Sequence, residues 1–475
     1  MARSRHRLTK TITLKALPSR GGVFTVPSAM GAPLILPEAM LRQGYVKTNK
    51  TIVQACYDYN ASIIASGERY VSPSGSDANP GTSGSPYLTL NHALRNTLGS
   101  TRIYLMAGAY APNTGPRNGD TSQPVGGRLL HVSPAPGVDP ADVVIRVTGD
   151  DLTTNTWTLT SGTVYETTIS GSTGVTQVTR ADILGSDGFP LGLRSYSSVA
   201  ALEAGGTGYY WDSAGRKLHV ALAGANVNTN KAILKGYYNN GSDSRFYIQS
   251  APILFENCNM EGVYFLTSNA ASQPQNQVWI SGGRLDRGMA DQALNGALSV
   301  VGDGLIINGT KTGDNWKAFA TSQSFGCTIY AINLRSSNAG AVDTLGTPST
   351  ANGFAMHGTG GKSFVYGGTF DYNAGPNISL TGGASVTDYH WLVGVKTVES
   401  VAVGGGASAC GYGITNGTSG NITAWLDSCV DEGSTYDLLA EDTSTGTTTV
   451  NLHNSPLPDR TGAGATIQNY ERHTP

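Results

Sequence analysis

From residue 250 onward the chain repeats one pattern: a short apolar run followed by a Gly, Asn or Asp turn. The units are PILFENCNMEGV, QVWISGGRLDRG, DGLIINGT, CTIYAINLRSSN, SFVYGGTFDYN, HWLVGVKTVES, ITAWLDSCVDEG and TTVNLHNSPL. Their anchors are Phe255, Trp279, Leu305, Ile329, Phe364, Trp391, Trp425 and Val450, separated by 24, 26, 24, 35, 27, 34 and 25 residues. Periods of about 20–50 residues mark solenoids or propellers. One apolar strand pair per unit, with turns of variable length, favours a parallel β-helix over a propeller blade. Coils stacked at about 4.8 Å would carry eight anchors over roughly 35 Å. Gly and Asn suit corners that require positive φ.

The N-terminal third is patterned differently. Pro18, Gly21, Gly22, Pro27, Gly31, Pro33 and Pro37 break regular structure early in the chain. Between Pro37 and Ser66 the spacing turns partly helical, with Ile52, Ala55, Tyr59 and Ile63 on one face. Such a helix either self-associates or packs on its own domain. Tyr70-Val71-Ser72 then reads as a strand, Leu88–Arg95 as an amphipathic helix and Arg102–Leu105 as another strand. GTGYYWDSAGRKLHVAL, ending at Leu222, reads as a hairpin around an Asp-Ser-Ala-Gly-Arg turn.

The segment YVSPSGSDANPGTSGSPYLTLNHALRNTLGSTRIYLMAGAY, residues 70–110, resembles the opening of right-handed parallel β-helix proteins of the pectate-lyase-like superfamily. The resemblance covers about forty residues. It implies that the Leu88–Arg95 helix caps the first coil, because an open solenoid end exposes unpaired strand edges and an apolar core. The hairpin is similar to Trp/Tyr hairpins inserted early in glycan-active members. The expected fold is therefore all-β: a right-handed single-stranded parallel β-helix with an N-terminal cap helix, an inserted β-hairpin subdomain and a separate N-terminal arm. The expected boundaries are an arm at 1–68, cap helix and first coils at 69–149, inserted subdomain at 150–235, β-helix body at 236–455 and tail at 456–475.

Composition agrees with that architecture and excludes others. Charged residues are 13 %, about half the usual 25 %, and glycine is 62 of 475. Helical arrays need more charge, collagen needs a strict Gly period, and disorder needs low hydrophobicity, whereas hydrophobic residues are 39 % here. The formal net charge of -2 hides an asymmetry. Residues 1–50 carry nine basic groups and one acid, Glu38, while the rest of the chain carries 22 basic and 32 acidic groups. A basic arm precedes an acidic body, which suits docking to a partner protein. No nucleic-acid motif accompanies it, so no nucleic-acid partner is expected. No apolar stretch is long enough to span a membrane, and no secretory signal pattern opens the chain. Cys56, Cys258, Cys327, Cys410 and Cys429 show no pairing or zinc spacing. They suit a chain made in a reducing cytoplasm.

Candidate chemistry concentrates between residues 284 and 390. Glycosidic cleavage usually takes two carboxylates, about 5–5.5 Å apart for retention or 6.5–9.5 Å for inversion. Neighbouring coils supply such distances. The densest groups are Asp286, Arg287 and Asp291; Asp314 and Lys317 around Trp316; Arg335 and Asp343; His357 and Lys362; Asp371 and Tyr372; and Asp388, Tyr389 and His390. Asp343, His357 and Asp371 are the catalytic candidates, with His357 and Asp371 expected to share a face. Trp316, Lys362, Tyr372, Asp388 and His390 are the substrate-binding candidates. Trp316, Tyr372, Tyr389, Trp391 and Tyr412 could stack on sugar rings, although Trp391 and Trp425 suit the core better. No metal or cofactor is expected: GxxxxGK[ST], HExxH, EF-hand and GxSxG patterns are absent. The glycine-rich run at 404–413 reads as a coil turn.

A cytoplasmically made β-helix behind a basic, Pro/Gly-broken arm resembles phage tailspikes and other virion spikes. That resemblance implies a homotrimer on the virion, docked to virion or tail proteins through residues 1–68, whose body binds host surface glycan and in many members depolymerises it. The rival expectations are a free polysaccharide lyase or glycoside hydrolase, and a structural spike without a sugar site.

Overall fold

The computed structural model describes residues 26–31, 33–34, 51–62, 67–96, 102–111, 129–146, 152, 155–169, 175–184, 190–223, 225–230, 234–238, 245–248, 252–267, 277–286, 298–307, 316–319, 328–337, 339, 351–357, 360–401, 410–443, 445–457, 459–461 and 464–469. The chain divides into two compact units. Among the described residues the smaller holds those between 148 and 240, and the larger holds the rest.

The larger unit is mostly β, with long parallel sheets of twelve, nine and six strands among the described residues. The chain visits them in turn. Thr328–Ile332 lies in the twelve-stranded sheet, Arg335–Ser337 in the nine-stranded and Phe354–His357 in the six-stranded. Lys362–Tyr366, Thr369–Asp371 and Ile378–Thr381 repeat the circuit, each paired in parallel with its predecessor. Ile329, Val365, Leu392, Met260, Phe370, Phe354, Ile378 and Tyr412 belong to one buried cluster shared by the three sheets.

From Ile253 to Glu432 the chain turns between the twelve- and nine-stranded sheets within two residues. The first is in the left-handed region in successive circuits: Asn257 (φ 52), Gly282 (68), Asp303 (54), Asn333 (47), Gly367 (63), Gly394 (63) and Ser428 (54). This is the expected use of Gly and Asn, with Asp and Ser added. Each amide donates to a carbonyl one circuit on, as in Asn333 N to Tyr366 O at 2.8 Å and Gly367 N to Val393 O at 2.8 Å. The second residue is Gly283, Gly304 or Gly368 in three of these corners and in the other four turns its side chain into the core: Cys258, Leu334, Val395 and Cys429 are buried there. The two cysteines are thus small core residues, and burial pushes both thiols up. Cys56 and Cys410 are likewise free and buried.

The expected capping helix exists as Leu90–Asn96, with Leu90, Ala93 and Leu94 in the core beside the edge strand Glu68–Val71. Arg102–Leu105 forms the next strand.

The outer face of the twelve-stranded sheet is apolar too. Leu254, Trp279, Val300, Tyr330, Phe364, Tyr366 and Trp391 line it, and Met30, Ile52, Ala55 and Cys56 pack upon them. The helix Ile52–Tyr59, capped by the Thr51 hydroxyl, therefore packs on its own domain. Leu34 N donates to Tyr330 Oη at 2.7 Å, and Asn60 Nδ2 donates to Gln277 Oε1 at 3.0 Å. These segments are not a separate arm: they strap the sheet, because its outer face would otherwise leave large aromatic surfaces in water.

The smaller unit is built from antiparallel pairs. Gly208–Asp212 and Lys217–Ala221 form the expected hairpin, extended by Val164–Thr168 and Thr158–Ser161. Its own core holds Trp157, Tyr209, Leu218 and Val220.

The corner geometry sets a pair of substitutions apart. A Cβ on Gly368 (φ +90) would lie 2.3 Å from the Leu334 carbonyl oxygen, whereas one on Gly367 would meet only the Asn333 side chain. Gly368→Ala is expected to cost about 2–4 kcal/mol, through backbone strain plus the clash. Gly367→Asn, matching Asn333 one circuit earlier, should cost about 1 kcal/mol or less. Chemical denaturation of the two variants checks the difference.

Candidate functional site

The structure disperses most of the anticipated site residues. Asp343 lies outside the described residues. Trp316 opens a strand of the six-stranded sheet, in register with Phe354. His357, half-buried, ends the next strand of that sheet. Asp371 belongs to the nine-stranded sheet, so His357 and Asp371 do not share a face as expected. Lys362 Nζ donates to Met30 O at 3.0 Å and so pins the N-terminal strap.

Asp388 and His390 meet, but in the interior. They alternate with outward-facing Tyr389 and Trp391 along Thr387–Val393, on the side of core residue Leu392. His390 Nδ1 lies 2.9 Å from Ser363 Oγ, and both residues are completely buried. Asp388 accepts the Gly361 and Gly383 amides at 3.1 and 3.2 Å. Ser, His and Asp side chains thus come together where a polymer cannot reach. Tyr412 is also fully buried, its hydroxyl donating to Val395 O at 2.8 Å. Trp391 is buried as well, with Nε1 donating to Asp427 Oδ2 at 2.7 Å. Among the anticipated aromatics, Tyr389 stays half-exposed and stacks on Trp425, with ring centroids 6.3 Å apart.

The outer face of the nine-stranded sheet is a different surface. Met260, Leu285, Ile306 and Phe370 sit mid-strand and enter the core, so alternation turns their neighbours outward. One outward column contains Asn259, Arg284, Arg335, Thr369 and Lys396; the other contains Glu261, Asp286, Ser337, Asp371 and Glu432. Cations and acids pair across these columns, Arg284 with Asp286 at 3.4 Å, Arg335 with Asp371 at 3.1 Å and Lys396 with Glu432 at 2.7 Å, while Arg146 pairs with Glu261 at 3.5 Å within the second column. The four pairs are spread along the sheet, with the uncharged strand Leu305–Ile307 between the second and the third.

Asp371 is the most chemically distinctive member. It is only 4 % exposed. Burial pushes its carboxyl above the ordinary range, against the opposing pull of Arg335 and the Ser337 hydroxyl. Tyr372 follows at φ 55, a conformation costing a bulky residue about 1–3 kcal/mol. Its amide donates to Val398 O at 3.1 Å. Burial, then Glu399 and Asp371, push its phenol up. Glu399, exposed at the equivalent corner one circuit on, also has positive φ (41). A buried carboxyl, a guanidinium, a strained tyrosine and a second carboxylate therefore converge at one edge of the sheet.

Asp371 and Tyr372 were legible in the sequence as neighbours. Glu261, Lys396, Glu399 and Glu432 were missed. Their common signal is position: Glu261 and Glu432 end three-residue strands, Lys396 begins one and Glu399 follows one, which becomes visible once the register is known.

No family model matches the chain, and no curated protein matches it. Among solved structures, it is similar to a XylC–xylose complex: 13 % identity, 82 % of this chain and 68 % of that one covered, TM-score 0.45. It is also similar to a glycoside hydrolase (11 % identity, 82 % and 96 % covered, TM-score 0.39). A rhamnogalacturonan lyase shows 11 % identity, with 81 % and 74 % covered and TM-score 0.30.

The interior histidine gives a pH prediction. Burial pushes His390 from its ordinary 6.5 down to about 4, opposed by Asp388. Between those values the unfolded chain takes up a proton that the folded chain excludes, so stability falls as pH drops from 6.5 towards 4. The loss reaches about 3 kcal/mol at most. Denaturation midpoints measured across that window should fall less steeply for His390→Leu than for the native protein.

Proposed function

We propose that the three parallel sheets are the faces of a right-handed β-helix that binds polysaccharide along its nine-stranded face and hydrolyses it beside Asp371. The observation that carries this reading is the Arg335–Asp371 pair beside Tyr372, set within a ladder of charge pairs that recurs along the sheet. A repeating polymer suits a repeating surface of fixed hydrogen-bonding groups. The raised carboxyl of Asp371 matches a proton donor to the leaving glycosidic oxygen. Glu399, exposed at the next corner, matches the base that takes a proton from the attacking water. Water then adds across the broken C–O bond, one proton leaving through Glu399 and one arriving from Asp371.

In this reading the chain is carried on a virion as a homotrimeric spike, and its glycan belongs to the host surface. The basic residues Arg3, Arg5, Arg7, Lys10, Lys15 and Arg20 support particle docking by charge. Met30, Leu34 and the helix Ile52–Tyr59 supply the strap, so the docking role falls on the chain before them.

Purified capsular polysaccharide and lipopolysaccharide from candidate hosts test the activity. Oligosaccharides with new reducing ends are expected, and Asp371→Asn should reduce their release by about 10²–10⁴-fold. Unsaturated ends would instead mark a lyase, and no release at all would leave a binding or structural spike. Removing residues 1–25 is expected to abolish particle incorporation while leaving the body folded. Light scattering should give the mass of three chains; a monomer would overturn the spike assembly.

A further inference from the structure

A second polar site lies at the other end of the larger unit's strand order. A cleft of about 290 Å³ opens beside Arg102, Ser133 and Glu256, in the first strands of the twelve-stranded sheet. That is near the lower limit of small-molecule sites, about 300–1,000 Å³, and fits one sugar ring rather than a chain. Its lining also includes the apolar residues Pro134, Pro136 and Val138.

The polar wall is held from behind. His131, completely buried, lies with Nε2 2.9 Å from Glu256 Oε2 and Nδ1 2.8 Å from Tyr57 Oη. The His131 hydrogen bond keeps Glu256 below the ordinary carboxylate range. An ionised carboxylate only accepts, so Nε2 carries the proton and Tyr57 donates to Nδ1. Arg102 approaches the same carboxylate oxygen at 3.5 Å, and its guanidinium lies 5.5 Å from the Tyr104 ring centre. Both charged groups are therefore oriented before any ligand arrives, and they neutralise each other. A charged ligand would have to break that pair. A neutral polyol can instead donate hydroxyls to Glu256 and accept from Arg102 while its C–H face rests on the prolines.

We infer that this cleft is a binding site for a single neutral pyranose unit, recognised by Glu256 and Arg102, with His131 and Tyr57 as positioning residues. The site shares no residue with the Asp371 region, so it stands whether or not the nine-stranded face cleaves polymer.

Saturation-transfer NMR with the methyl glycosides of glucose, galactose, mannose and rhamnose, and with methyl glucuronide as the charged comparison, tests it. At least one neutral glycoside should bind. Glu256→Gln and Arg102→Met should each weaken that binding about tenfold or more, with thermal unfolding still cooperative and only modestly lowered for the near-isosteric Glu256→Gln. His131→Gln, which can still donate to Glu256, should retain binding that His131→Leu loses. Absence of binding by every neutral glycoside, binding of the glucuronide alone, or unaltered binding in folded Glu256→Gln would each overturn the inference.

Discussion

From Ile253 to Glu432, each circuit of the larger unit depends on a chain turn completed in two residues between the twelve- and nine-stranded sheets. That demand is steric. A positive φ is needed at the first corner residue, and the amide there must find a carbonyl one circuit away. Asn257, Gly282, Asp303, Asn333, Gly367, Gly394 and Ser428 satisfy both demands with four different residue types. Gly avoids the Cβ clash, while Asn and Asp tolerate the left-handed region through local hydrogen bonding. Because the corners are in register, so are the strands on either side, and the charge pairs of the nine-stranded face inherit their alignment from the corners. Asp371 and Arg335 meet because two successive corners, Asn333 and Gly367, are stacked.

The twelve-stranded sheet poses a second problem, since it is apolar on both faces. One face meets the common core; the other carries an aromatic column from Trp279 through Tyr330 and Phe364 to Trp391. Tyr330 and Phe364 lie face to face, with centroids 4.5 Å apart. Met30 and the helix Ile52–Tyr59 cover part of that column, and polar ties to Tyr330, Gln277 and Lys362 fix the cover in place. The same helix supplies Tyr57, which holds His131 and, through it, Glu256. The strap thus joins sheet protection to the organisation of the cleft.

The repeat was legible because strands and corners are local: the periodic anchors, the capping helix, the strand Arg102–Leu105 and the hairpin at 208–221 all follow from short-range pattern. The site was less legible because side-chain direction depends on register. Asp388 and His390 look like surface chemistry in DYHW, yet alternation with Trp391 turns them inward. Lys362 looks like a free cation, yet its partner lies 332 residues away in sequence. Glu261 and Glu399 look unremarkable until their outward columns are drawn. Separate segments such as Met30 and Tyr330 carry no mutual signal in the chain, so the strap could be read only as a helix of unspecified partner.

The strap also orders events during synthesis. Met30, Leu34 and Asn60 leave the ribosome long before their partners, with separations of 332, 296 and 217 residues to Lys362, Tyr330 and Gln277. Contacts this distant form late, because closing long loops costs chain entropy before any contact repays it. The aromatic column therefore passes through a stage in which its circuits are stacked but uncovered, the stage at which such chains associate wrongly. Seating the strap ends that exposure. A segment made well before its partners is thus among the last to find its place.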